Sequence, residues 1–153
     1  MTGVRWLQPA EDRAWRAYRR MRTLLDLRLA RDLAQEAGLS EPDYDVLSTL
    51  TEAPGSSWRA NELARQLMWS SSRLAHHVGR MERRGLVARR SSDSDGRGAI
   101  VTITDRGMAV LEAAAPGHVE SVRRNFLDLL TAEEVDALAT ISDKVIRRLD
   151  TRP

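Results

Sequence analysis

Three serines, two histidines and two arginines crowd into eleven residues, Ser70-Ser71-Ser72-Arg73 followed by His76, His77 and Arg80. Hydroxyls, imidazoles and guanidiniums at such spacing suit three chemistries. Nucleophilic hydrolysis needs a serine on a strained elbow with an oxyanion hole beside it. No Gly-x-Ser-x-Gly occurs anywhere in the chain, so an enzyme is not expected. Metal binding fails on geometry: adjacent histidines on a helix point about 100° apart and cannot share one ion as an i, i+4 pair does. Neither a metal nor a cofactor is expected. Nucleic-acid recognition fits best. Short hydroxyls hydrogen-bond phosphates or base edges, and a guanidinium matches the edge of guanine. Ser70, Ser71, Ser72, Arg73, His76, His77 and Arg80 are therefore expected to contact double-stranded DNA.

Such residues read DNA only from a rigid element, and the surrounding punctuation supplies one. Asn61 to Met68 forms a short helix with Leu63, Ala64 and Leu67 inward, broken at Trp69-Ser70. One of the serines caps the next helix, which runs to Arg84 and stops at Gly85. Leu74, Val78 and Met81 hold its inner side, leaving Arg73, His76, His77 and Arg80 along the outer one. Leu86 to Arg90 and the β-branched Ala99 to Ile103 then form a hairpin around a Ser-, Asp- and Gly-rich turn. Helix, tight turn, helix and hairpin make a winged helix-turn-helix, with Arg97 at the wing tip suited to a narrow minor groove.

The remaining segments are helical. The first runs from about Pro9 to Ala37, with Trp15, Tyr18, Met21, Leu25, Leu29 and Leu33 on one face. At 1.5 Å per residue it spans about 40 Å, more than a domain of this size covers alone, so a second copy is expected to cover it. Ser40 opens the second helix with Asp43 placed for a capping box, and Ala53-Pro54-Gly55 ends it. Thr104 caps a helix from about Asp105 to Leu130, which Pro116-Gly117 is expected to kink or break. Thr131 to Glu134 is another capping box, opening a last helix to about Leu149. The fold class is mainly α with a small β-hairpin: a winged helix-turn-helix with N- and C-terminal dimerisation helices. One unit over 1–153 is expected, with 41–104 as the DNA-binding region and 1–37 with 105–153 as the helical dimerisation region.

Composition agrees. Of 153 residues, 42% are hydrophobic and 30% charged, the balance of a chain that folds around one core. There is no cysteine, hence no disulfide, thiolate metal site or thiol redox sensor. No segment has the roughly 18 apolar residues of a membrane span, and no signal pattern opens the chain, so a cytoplasmic location without membrane contact is expected. The net charge is only +2, but its distribution is uneven. Nine arginines against four acids give Arg59 to Arg97 a charge of +5, while Asp32 to Trp58 holds six acids and no base. Met1 to Arg31 also carries +5, so two basic blocks flank an acidic one, and the second lies on the reader segment, which argues against the alternative of a winged helix that binds protein without DNA.

Several stretches carry a family resemblance: Asn61-Glu62-Leu63-Ala64, Trp69-Ser70-Ser71-Ser72-Arg73-Leu74, Arg80-Met81-Glu82-Arg83-Arg84-Gly85-Leu86-Val87, Asp95-Gly96-Arg97-Gly98 and Ile103-Thr104-Asp105-Arg106-Gly107. The chain resembles the MarR, or multiple antibiotic resistance regulator, family of winged-helix repressors and activators. The resemblance implies a homodimer on a pseudo-palindromic operator, released by a small aromatic or phenolic effector. The family's wing pattern Asp-x-Arg-Asp-x-Arg is only half kept, with Ser92 and Ser94 at its first Asp and first Arg and Asp95 and Arg97 at the others.

Overall fold

The computed structural model describes residues 3–91 and 98–150. Its helices are α1 (Pro9–Ala37), α2 (Glu41–Glu52), α3 (Ala60–Gln66), α4 (Ser71–Arg83), α5 (Asp105–Asn125) and α6 (Ala132–Leu149), and its strands are β1 (Ser57–Arg59), β2 (Val87–Ser91) and β3 (Ala99–Ile103). One compact unit comprises residues 30–118, and the other comprises the chain before residue 30 together with the chain from 119 onward.

In the first unit, local signals start each element and one core joins them. Ser40 Oγ accepts from the Asp43 backbone N–H at 3.2 Å, and the Asp43 carboxylate accepts from the Ser40 N–H at 3.1 Å, closing the expected capping box of α2. Val46, Leu47 and Leu50 of α2 meet Leu63 of α3, Leu74, Val78 and Met81 of α4, and Leu86, Val87 and Val101 in one buried cluster. Each fully buried aliphatic side chain contributes about 1.5 to 3 kcal/mol, so this cluster fixes how α4 lies against α2 and α3. The turn between α3 and α4 is tight. Met68 takes a left-handed backbone (φ +55°), and the Trp69 N–H donates to the Ala64 carbonyl at 2.8 Å.

The sheet is larger than the expected hairpin. β1 pairs antiparallel with β3 on the side opposite β2, giving the order β1-β3-β2. The Ser57 and Thr102 hydroxyls lie 2.8 Å apart across this added pair, and Trp58 Nε1 donates to the Thr49 carbonyl at 3.0 Å. After β3, Thr104 Oγ1 donates to the Gly85 carbonyl at 2.6 Å and accepts from the Gly107 N–H at 3.0 Å, capping α5 against the end of α4.

At Pro116 the expected break does not occur, and α5 runs on through the proline. A proline inside a helix removes a single i→i−4 bond, a loss that a helix of 21 residues can carry without ending. The helix ends instead at Asn125, where Phe126 leaves helical geometry (φ −143°, ψ −69°) before a short turn at Leu127–Leu129.

The second unit has helices but no buried core among its described residues. The Thr131 and Glu134 box caps α6 as expected, yet no residue of α6 is buried. Among the described residues of this unit, only Ser121 is buried. Trp15 and Tyr18 stack at 5.9 Å on α1, and both stay about half exposed, as do Val145 and Ile146 on α6. Among the described residues, no helix is long and apolar enough to cross a membrane.

Candidate nucleic-acid interface

The reader helix α4 is amphipathic, with Leu74, His77, Val78 and Met81 buried. Ser70 is its N-cap, its hydroxyl accepting from the Arg73 N–H at 3.1 Å. Ser71, Ser72, Arg73, His76 and Arg80 are exposed, as expected from the sequence. Ser72, His76, Gly79 and Arg83 succeed one another at spacings of four and three, so they form one outward stripe. Arg83 is exposed on it and escaped the sequence reading, although the same spacing from His76 would have found it. Arg97 and the rest of the wing tip lie outside the described residues.

His77 is the correction. It was expected on the outer side, but it is only 7% exposed and turns inward. Its Nδ1 lies 2.8 Å from Arg80 Nη2, and because a guanidinium can only donate, Nδ1 is the acceptor. The ring proton therefore sits on Nε2, 3.0 Å from Asp43 Oδ1 though off the line of a hydrogen bond. Burial pushes the imidazole below its ordinary value, Asp43 pulls it back up, and Arg80 lowers it further, for a net downward shift. His77 is thus a buried core residue, its ring set between Arg80 of α4 and Asp43 of α2.

Asp43 binds the other end of α4 as well. Its Oδ2 accepts from Arg84 Nη1 at 2.7 Å, and Arg84 Nη2 donates to the Gly38 carbonyl at 3.3 Å. Burial alone would raise this carboxyl, but the Arg84 guanidinium and the Ser40 N–H outweigh it and hold it below 3.8. Asp43→Asn keeps a capping oxygen but leaves Arg84 without its counter-charge, at an expected cost of about 2 kcal/mol, discounted because Arg84 is half exposed. Thermal melts at one protein concentration should show a fall of about 4 to 8 °C. Because the folded pKa is depressed, the deficit should be complete above pH 3.8 and should close as pH falls through the lower folded value. An unchanged melting temperature at neutral pH would contradict the clamp.

The wing is tied to the same helix. Glu82 of α4 accepts from Arg89 Nε at 3.0 Å, from Arg89 Nη2 at 2.7 Å and from the Arg89 backbone N–H at 3.2 Å. Those hydrogen bonds hold the Glu82 carboxyl below its ordinary value. Arg90 of β2 is exposed and makes no ion pair among the described residues. A cationic, hydroxyl-rich helix face beside a fastened β-wing can neutralise phosphates and present donors to base edges. Among the described residues, no cluster of three or more His, Asp or Glu could hold a metal ion.

Comparison with known proteins bears on this arrangement. A family model described as MarR family matches residues 37–98. Transcriptional regulator HosA of Escherichia coli O127:H6 is 32% identical over 131 residues, covering 86% of this chain and 95% of that protein. AbsC, a MarR family transcriptional regulator from Streptomyces coelicolor, superimposes with a TM-score of 0.91 at 38% identity, covering 97% of this chain and 100% of that one. Sco3205, a MarR family transcriptional regulator from the same organism solved in complex with DNA, gives 0.92 at 39% identity over 98% of this chain and 94% of that one.

Proposed function

The chain belongs to the MarR family, and from that premise we propose that it is a sequence-specific DNA-binding transcriptional regulator, acting as a homodimeric repressor on a pseudo-palindromic operator. The observation that carries the reading is the outer face of α4, where serines, histidine and arginines stand opposite a fully buried face. The likeness to a DNA-bound regulator over almost the whole chain supports it. In this reading α4 enters the major groove, with Ser70, Ser71, Ser72, Arg73, His76, Arg80 and Arg83 toward the DNA and Arg97 in the flanking minor groove.

The homodimer rests on a physical argument. α1 and α6 present Trp15, Tyr18, Leu24, Ile141, Val145 and Ile146 to solvent with no buried core among them, the kind of exposed apolar side chains that mark an interaction surface. A second copy of the same chain covers both faces at once by two-fold symmetry. The two α4 helices would then enter successive major grooves about 34 to 36 Å apart. A small aromatic or phenolic effector that releases the operator belongs to the same reading.

Selection of bound fragments from random DNA by the purified protein, repeated over a salt series and paired with mass determination in solution, tests this. The expected outcome is a dimer that enriches half-sites about one helical turn apart, with log K falling linearly in log salt at a slope of about −0.9 per neutralised phosphate. A monomer, or a protein that enriches no sequence even at low salt, would overturn it.

A further inference from the structure

Arg73 stands in the first turn of α4, where the helix dipole is positive and no acidic residue of that helix lies, although the Asp45 carboxylate of α2 is close enough to feel its charge. The Trp69 ring is its second partner. Arg73 Cζ lies over that ring, 4.2 Å from its centroid, a cation–π contact across the start of the helix. The indole is itself held in place. It is half-buried against the core, its backbone N–H is bonded to Ala64, and its ring meets His77 edge-on at 5.5 Å and 85°. His77 is fixed in turn between Arg80 and Asp43. A continuous path of contacts therefore runs from a buried carboxylate to an exposed guanidinium.

We propose that Trp69 is a positioning residue for DNA reading: its ring is the platform that holds the Arg73 guanidinium ready for a base edge. The inference deepens the operator-binding reading and rests on it. A stacked guanidinium uses its π-face on the ring and keeps its N–H groups, which lie in its plane, free for a bidentate contact. An unsupported arginine has many rotamers to lose on each contact, whereas a platform removes most of that loss before DNA arrives. A Trp69 that only filled space beside the core would behave differently on substitution.

The test uses the full-length protein and the operator selected above, together with operators changed at each half-site base pair in turn. Trp69→Leu and Trp69→Met keep apolar bulk without an aromatic ring, and Trp69→Phe keeps a ring. Melting temperatures identify which variants remain folded. The expected result is a loss of about tenfold in affinity per half-site for the leucine and methionine variants. That loss should fall at the same base pairs that cease to matter in Arg73→Ala. Trp69→Phe should stay within about threefold of the wild type, and Trp69→Leu combined with Arg73→Ala should be no weaker than Arg73→Ala alone. The proposal is overturned if a folded leucine or methionine variant keeps full discrimination, or if its loss is uniform across all operators. It is also overturned if the phenylalanine variant is as impaired as the leucine one. A wild-type protein that selects no operator removes the operator-binding reading instead, before any variant is compared.

Discussion

Gly107→Ala is expected to destabilise the protein by about 4 kcal/mol and to lower its melting temperature by about 8 to 16 °C at fixed protein concentration. A methyl at Gly107 would overlap the Leu86 carbonyl oxygen, lying also 3.0 Å from the Leu86 carbonyl carbon and 2.9 Å from Ile103 Cγ1. None of these is a flexible side-chain tip. The Leu86 carbonyl already accepts from the Thr104 N–H at 3.1 Å, so relief requires α5 to move off the junction of α4 and β2. Overpacking alone costs about 1 to 3 kcal/mol, and losing that partly buried hydrogen bond adds to it. Gly79→Ala is the internal control, since its added methyl would meet only Arg89 Nη2, at an ordinary 3.9 Å. It should melt at or slightly above the wild-type temperature, because alanine is the better helix former. A Gly107→Ala protein melting within about 2 °C of the wild type would show that the close approach is not a constraint.

Arg73→Ala should have the largest effect on DNA binding. Losing one bidentate base contact costs about 1 to 3 kcal/mol, and a homodimer loses it twice, for about 2 to 6 kcal/mol, or a factor between about 30 and about 20,000 in affinity. Base preference should relax at the matching position in both half-sites. A purely phosphate-directed Arg73 would instead weaken every operator alike and lower the salt slope by about 1 for each copy. Titrations of the selected operator and its single-base variants separate the two outcomes, and a variant with wild-type affinity and preference would remove Arg73 from the interface. The fold should survive the substitution, because the Arg73 side chain is exposed and its part in the helix cap is its backbone N–H.

What the sequence made legible was whatever is announced locally. Both capping boxes, at Ser40 with Asp43 and at Thr131 with Glu134, stand where their three-residue spacing put them. The apolar stripe of α4 likewise gave the side that faces the core. Long-range pairings were hidden. Nothing near His77 reveals that its neighbour is Asp43, 34 positions earlier, so an imidazole that fits a reader face was placed there although it completes a buried cluster. β1 has three residues, begins with a turn-forming serine, and gains its strand character from pairing with β3. Trp69 looked like a simple helix breaker because its use depends on a guanidinium one turn further along the chain.

The uncovered apolar faces of α1 and α6 bear on how sharply such a protein would respond to its own abundance. If only the paired form occupies the operator, and most chains are single, occupancy follows the square of chain concentration while the site is unsaturated. Halving expression would then lower occupancy about fourfold, turning a modest change in synthesis or degradation into a steep genetic response. A weakening substitution on either face would act like a lower gene dose, silencing the regulator without touching a residue that meets DNA.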